Sequence, residues 1–381
     1  TVVMLNPAAP VRAGFWLSFV AVGLLIFGLG GRLAQRGIWA RWGRAQWLVY
    51  LGLWPWLLLW GMPSSASAFI VNLVAIPCIS LLVLPAALLG ALFEVAFHWP
   101  LLLQWSAIAL GWLFSVLQWI SGYSPLLHFA NPGWLAWVTT LLGVLLLLSP
   151  LVRLLWLPAL VCFLPLLCPL FERPPRGEVW VTVLDVGQGL AVHVQTAQHD
   201  LLYDAGARLS SGFDLGEAVV APALQASGVK RLDMLLLSHA DNDHAGGALA
   251  VARRIPVDRV VSGEPERLPD QLNAELCAVQ HWQWDGIDFT LTPLGADGSQ
   301  ANDRSCVLQL AAGSNGALLP GDIGQSVEYS LLEKLAPASL LLAPHHGSIS
   351  SSSYAFIRRV APQWVVFSAG ANNRYGHPHA K

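Results

Sequence analysis

Charge is what this chain has least of, and the shortage is uneven. Only 21 basic and 23 acidic side chains occur in 381 residues. Residues 1–171 hold seven of them: Arg12, Arg32, Arg36, Arg41, Arg44, Glu94 and Arg153. The other 37 fall in 172–381. So few charges exclude an ordinary soluble first half, and the mean hydropathy of +0.55 averages an apolar half with a polar one. The change comes at Phe171-Glu172-Arg173-Pro174-Pro175-Arg176-Gly177, where proline and charge end the apolar run.

Other shortages exclude further classes. There are five cysteines, and Cys78, Cys162 and Cys168 lie in apolar runs. That leaves Cys277 and Cys306, whose pairing sequence alone does not decide. The start lacks the charged segment, short apolar core and small-residue cleavage site of a signal peptide. Residues 172–381 carry 15 basic and 22 acidic groups, a net of −7, with no basic stripe interleaved with aromatics. The usual electrostatic footprint for a phosphate backbone is therefore missing.

What the first half has in quantity is apolar runs. A helix needs about 20 apolar residues to cross the hydrocarbon core. The runs predict six spans: Gly14–Gly30, Trp47–Gly61, Ser67–Ala91, Leu101–Ile120, Trp134–Leu148 and Leu154–Phe171. The second, with Gly52 and Pro55, is expected to be broken or re-entrant. The third is interrupted by Asn72, Pro77 and Pro85, marking either a kinked packed helix or a pore lining. Tryptophans gather near span ends, as at Trp16, Trp39, Trp42, Trp47, Trp99, Trp134 and Trp156, which fits interfacial anchoring. The loop 31–46 has four arginines and no acid, so the positive-inside rule puts it in the cytoplasm. Five further crossings then put residue 172 onward on the outer face.

The second half reads as strands with chemistry at their ends. The apolar run Met234-Leu235-Leu236-Leu237 stops at Ser238-His239-Ala240-Asp241-Asn242-Asp243-His244-Ala245-Gly246-Gly247. Two imidazoles and two carboxylates within six residues suit a divalent ion such as zinc or manganese. Three other strand-like runs end in donors: Pro320-Gly321-Asp322, Pro344-His345-His346-Gly347-Ser348, and Tyr375-Gly376-His377-Pro378-His379. Each is weak alone, but strand ends on one sheet edge lie close in space. Strands outnumber helices, and helices recur between groups of strands, so the expected fold is an α/β sandwich of αββα type. His281-Trp282-Gln283-Trp284 offers aromatics for base stacking, although core tryptophans are the simpler account.

Asp204, then His239-x-Asp241-x-Asp243-His244, then Asp322, then His345-His346-Gly347 resembles the metallo-β-lactamase superfamily, with Asp241 where the second His of the usual turn stands. With Asp185-Val186-Gly187-Gln188-Gly189 and the two later His motifs, the pattern is similar to the ComEC family of DNA-internalisation competence proteins. In the first half, Ala13-Gly14-Phe15-Trp16-Leu17-Ser18-Phe19 and Asn72-Leu73-Val74-Ala75-Ile76-Pro77 look like that family's competence-domain signatures.

The resemblance implies a transmembrane competence domain over 1–171 and a metallo-β-lactamase-like domain over 172–381. It leaves outside the chain the family's N-terminal extracellular domain and a tail past Lys381, so the natural protein is expected to continue at both ends. It implies two divalent ions: manganese or zinc, with magnesium an option. His239 and Asp241 would hold one, Asp243, His244 and His345 the other, with Asp322 bridging. The segment before the bridge lacks a third His, and Asp303 is the strong donor there; more oxygen ligands shift preference towards manganese or magnesium. Asp204 and His346 are expected to orient ligands from behind. Asp243 and His377 would take part in catalysis, His377 as proton donor, with Ser348 and Ser350 touching phosphate. Leu190 stands where the family is often acidic.

The implied function is an inner-membrane channel for single-stranded DNA in bacterial transformation, fused to a metal-dependent nuclease or phosphodiesterase on the extracytoplasmic face. Its partners would be single-stranded DNA, the lipid bilayer, other DNA-uptake proteins and further copies of the chain. Two alternatives stand beside it: a membrane-anchored metallohydrolase of another substrate, and a channel with a non-catalytic lactamase-like domain.

Overall fold

A computed structural model describes residues 4, 6–29, 37–60, 62, 64–65, 67–124, 126–127, 133–149, 152–168, 171–294, 301–371 and 373–379. Gly30, Arg32, Arg36, Gly61 and Lys381 lie outside the described residues, as do the side chains of Trp39 and Arg153. The chain divides into two compact units, Thr1–Leu170 and Phe171–Lys381.

The first unit is helical: α1 (Ala13–Leu29), α2 (Ile38–Leu59), α3 (Ala68–Phe97), α4 (Leu101–Tyr123), α5 (Gly133–Leu148), α6 (Val152–Val161) and α7 (Leu164–Leu167). Two of these, α3 and α4, are long and apolar enough to cross a membrane. Both keep most of their apolar surface exposed; Trp105, Trp112 and Trp119, one heptad apart on α4, are each about two-thirds exposed. The helix of a soluble core would bury such a face.

Helix packing in this unit relies on small residues. A Cβ on Gly28 would sit 2.3 Å from a Leu48 methyl, and one on Gly52 would sit 2.3 Å from a Leu24 methyl, so α1 and α2 approach through reciprocal glycine–leucine contacts. Leu48, Leu51 and Leu58 of α2 meet Val144 and Leu148 of α5 with Phe163 and Leu166, and the Trp137 indole donates to the Pro55 carbonyl.

The expectation of a break at Pro55 is corrected here. Pro55 does not break its helix, which runs unbroken from Ile38 through Arg41 and Arg44 to Leu59. The loop inferred for 31–46 is therefore helical from residue 38. Pro77 and Pro85 do not divide the third run either. The chain widens into a π-helical turn over Cys78–Val83 and continues, because a wider turn absorbs the hydrogen bond that a proline cannot donate.

The second unit is the αββα sandwich. One sheet has strand order β1 (Trp180–Val183), β2 (Val192–Gln195), β3 (Asp200–Tyr203), β4 (Met234–Leu237), β5 (Val260–Ser262), β6 (Glu275–Leu276). The other runs, in sequence order, through β7 (Gln280–Trp284), β8 (Ile287–Thr292), β9 (Val307–Ala312), β10 (Asn315–Leu319), β11 (Leu340–Leu342) and β12 (Trp364–Val366). Helices α8 (Ala221–Ala226) and α10 (Ala248–Arg254) cover the first sheet; α11 (Gln325–Leu331) and α12 (Tyr354–Val360) cover the second. The one-turn helix α9 (Asn242–Ala245) follows β4.

Side-chain alternation explains the continuous apolar run of β4. Leu236, with Leu201 and Tyr203 of β3, faces the core between the sheets, whereas Leu235 and Leu237, with Leu202, face the helices. Both faces are buried, so neither can be polar. Trp282 and Trp284 are half-buried and pack against Phe289 at the inter-sheet core, as core tryptophans do. Cys277 and Cys306 form a disulfide with Cα atoms 6.2 Å apart.

The sheet topology positions the site. Strands β3, β4 and β5 are mutually parallel, as are β10, β11 and β12. Parallel strands deliver their C-terminal ends to one edge, and the donor-bearing segments follow β3, β4, β10, β11 and β12.

Candidate metal centre

Asp204 leaves β3 with a φ of +59°, an uncommon conformation for a residue with a side chain. Its carboxylate is fully buried and every contact is taken. One oxygen accepts the Ser238 N–H at 2.6 Å; the other accepts the Ser238 hydroxyl at 2.8 Å and His244 Nδ1 at 2.7 Å. Gly247 lets α10 start beside this turn, since a Cβ there would lie 2.3 Å from the Ala205 carbonyl.

These contacts set the tautomers of the imidazoles. A carboxylate only accepts, so His244 must carry its proton on Nδ1. The Ser238 hydroxyl gives its hydrogen to Asp204, so it accepts from His239 Nδ1 at 3.0 Å. His346 Nδ1 donates to the Ser368 carbonyl at 2.8 Å. All three rings therefore commit Nδ1 to donation and turn Nε2, the atom that coordinates a metal when the ring is neutral, to the same place. Holding a ligand histidine by its other nitrogen is how protein metal sites orient their donors.

Asp322, after β10, completes the convergence. Its oxygens lie 3.2 Å from His244 Nε2 and 3.5 Å from His346 Nε2, and Asp243 lies 3.4 Å from His346 Nε2. Yet the buried Nε2 atoms of His244 and His346 have no hydrogen-bond partner. The groups approach one another without the angles of a hydrogen bond, aimed at shared points between them. Two sets of donors result: His239, His244 and Asp322, and Asp243, His244 and His346. The electrostatics favour positive charge at this place. Burial alone would push the His244 imidazole down, but the Asp322 and Asp204 carboxylates hold it well above the ordinary range. Burial likewise opposes ionisation of Asp322, and the imidazoles of His244, His346 and His239 outweigh it and hold the carboxyl far below its ordinary range. Three imidazoles and two carboxylates around orphaned nitrogens fit a divalent cation.

Not every expected ligand joins. His346, expected to act from behind, is buried in the cluster, whereas His345, expected as a ligand, is 30 % exposed with Nε2 4.0 Å from Asp322. Both residues have positive φ, and this sharp turn after β11 sends the second imidazole inward. Asp241 faces Arg267 at 3.0 Å, with its other oxygen 3.7 Å from His239 Nε2. Asp303 accepts the Gly324 N–H at 3.3 Å and belongs to neither set. Ser348 and Ser350 hydrogen-bond each other, and Ser350 lies 3.4 Å from His345 Nδ1; Ser353, not they, caps helix α12. The His377 ring lies 6.0 and 6.4 Å from those of His345 and His346, with Asn373 clasping its backbone on both sides. Burial, then the neighbouring His345 and His346, lowers its pKa. Leu190 is buried in the inter-sheet core and its N–H donates to the Asp243 carbonyl.

Sequence reasoning missed Ser238, Ser368, Glu264 and Arg267. Ser238 was visible, a hydroxyl directly before the first His of the motif. The others lie in stretches with no local signal.

The Competence protein family matches residues 1–167, and the metallo-β-lactamase superfamily matches residues 184–367. The chain is 36 % identical to "Competence protein ComA" of Neisseria gonorrhoeae over 99 % of its own length and 53 % of that protein. It is 29 % identical to "ComE operon protein 3" of Bacillus subtilis, over 99 % of this chain and 53 % of the relative. The chain thus spans about half the length of these relatives. Among solved structures it is similar to a metallo-β-lactamase from Cronobacter sakazakii, at 14 % identity, covering 50 % of this chain and 92 % of that one, with a TM-score of 0.36.

Proposed function

This chain joins a competence-protein domain to a metallo-β-lactamase-superfamily domain, and from that pairing we propose that it serves DNA uptake as an inner-membrane channel for single-stranded DNA with a metal-dependent phosphodiesterase. The observation that carries the enzymatic half is the pair of buried His244 and His346 Nε2 atoms, bare of partners and facing two carboxylates. Asp243, His244, His346 and Asp322 would hold one divalent ion, and His239 with Asp241 and Asp322 a second. When bound, such ions activate water and neutralise charge on a phosphoryl group. The chain's own residues do the rest. Asp204 and Ser368 fix the imidazoles, and Asp322 supplies negative charge between them. His377, whose ring lies 6.0 Å from that of His345, would carry a proton to or from the departing oxygen. Ser348 and Ser350 would offer hydroxyls to a phosphate beside it. The domain's net charge of −7 argues that the ions, and not a basic surface, attract the strand.

The test is cleavage by the purified chain in detergent. Single-stranded DNA should be cut with manganese or zinc present, and chelation should stop the cutting. A chain that retains metal yet cuts no phosphodiester would favour the non-catalytic channel, and cutting unaffected by chelation would remove the metal from the reaction.

For the helical unit we propose six crossings built from α1, α2, α3, α4, α5 and the α6–α7 pair. The region of Arg32, Arg36, Arg41 and Arg44 would face the cytoplasm and His239 the outside. A single cysteine at residue 40, introduced after the native ones are replaced, should resist an impermeant thiol reagent in intact spheroplasts and react after lysis. Labelling from outside would invert the topology.

A further inference from the structure

The expected ligand Asp241 gives one oxygen to an arginine and turns the other towards His239 Nε2, 3.7 Å away. That arginine, Arg267, reaches Asp241 at 3.0 Å and reaches Glu264 at 2.7 Å. Glu264 is 2 % exposed and is itself fastened: the same oxygen accepts the Ala240 N–H at 3.2 Å, and the other lies 3.6 Å from Arg304. A buried carboxylate thus fixes a guanidinium, and the guanidinium fixes Asp241, beside the Nε2 of His239. Arg267 is itself cationic, so it opposes a cation at that position while it draws off part of the negative charge of the carboxylate that would bind one. On the other side of Asp322 nothing competes: Asp243, His244 and His346 meet no Arg or Lys among the ion pairs of the described residues.

We propose that Arg267 makes the two halves of the metal centre unequal. The half built from Asp243, His244, His346 and Asp322 takes one ion tightly. The half built from His239, Asp241 and Asp322 takes a second ion weakly, because Arg267 holds Asp241 as its counter-ion. Arg267 is a positioning residue, acting through Asp241, and the inference rests on the metal-centre reading above. It gives the centre a resting state with one ion and makes the second site open to whatever draws Arg267 away, such as an incoming phosphate, which a guanidinium grips in the same two-pronged way.

Manganese titration of the full chain in detergent, followed by equilibrium dialysis and electron paramagnetic resonance, tests this. The unaltered protein should bind one ion at least tenfold more tightly than the second and show the six-line spectrum of isolated Mn²⁺ at one equivalent. In Arg267→Met, and equally in Arg267→Gln, the second ion should bind at least tenfold more tightly and the spectrum should change to that of a coupled pair. Adding Asp241→Ala to Arg267→Met should cancel the gain. Two equal sites in the unaltered protein, an unchanged second site in both folded Arg267 variants, or a gain that survives loss of Asp241 would each overturn the inference and leave the metal centre standing. No bound manganese in any variant would overturn the centre itself, and the inference with it.

Discussion

Asp322→Ala is expected to abolish metal-dependent cleavage, lowering the rate by about 10³-fold or more, equivalent to some 4 kcal/mol of lost stabilisation. The carboxylate lies between the orphaned nitrogens of His244 and His346, and it is the group common to both halves of the proposed centre. Removing it leaves the imidazoles without the negative charge that makes the place attractive to a cation. The unit should stay folded, because the main-chain N–H of residue 322 keeps its bond to Ser305 and the burial cost of a carboxylate disappears with it. Asp303→Ala should leave the rate within about threefold, since Asp303 sits outside the cluster and holds only the Gly324 N–H. Both rates come from single-turnover cleavage of a labelled strand, with circular dichroism as the control for folding. Unchanged cutting by Asp322→Ala would end the two-metal reading.

Asp204 should separate stability from metal affinity. In Asp204→Ala the buried His244 ring and the Ser238 hydroxyl and N–H lose their common acceptor. Breaking such a buried pair costs about 3–5 kcal/mol, so the thermal midpoint of the second unit should fall by roughly 10 °C. In Asp204→Asn the shape remains, and one oxygen can still accept the Ser238 N–H. The amide NH₂ then faces His244 Nδ1 and donates to it, forcing the ring proton onto Nε2, where a ligand lone pair is needed. The Asn variant is therefore expected to melt close to the unaltered protein while losing about 10–100-fold in metal affinity. Dialysis against chelator with elemental analysis reads the affinity, and calorimetry reads the stability. Undiminished affinity in Asp204→Asn would show that the tautomer of His244 does not govern binding.

Where the sequence was legible, one cause repeats: a local pattern with one physical explanation. Met234–Leu237 and Leu340–Leu342 were readable as strands because both faces of a central strand must be apolar. Short elements with mixed patterns were not: β7, with alternating exposed and half-buried residues, and α11 and α12, of seven residues each, carry weak periodicity. Prolines misled because breaking a helix is one outcome and a π-turn is another, and the neighbours in space choose between them.

By itself the sequence determined an apolar helical half and an αββα half, along with the residue types at the strand ends and the kind of ion they suit. These follow from composition and from periods of two and 3.6 residues, which are properties of short stretches. Tertiary structure alone decided which donors converge. His345 and His346 are adjacent and chemically identical, and the turn after β11 turns one inward and leaves the other at the rim. Asp241 sits in the motif as a ligand would, and Arg267, 26 residues away, takes it as a counter-ion. The tautomer of each ring depends on an acceptor brought up by another segment: Asp204 for His244 and Ser368 for His346. Lone-pair directions and ion pairs are set by angles and distances of a few tenths of an ångström between segments far apart in the chain, and no local pattern encodes them.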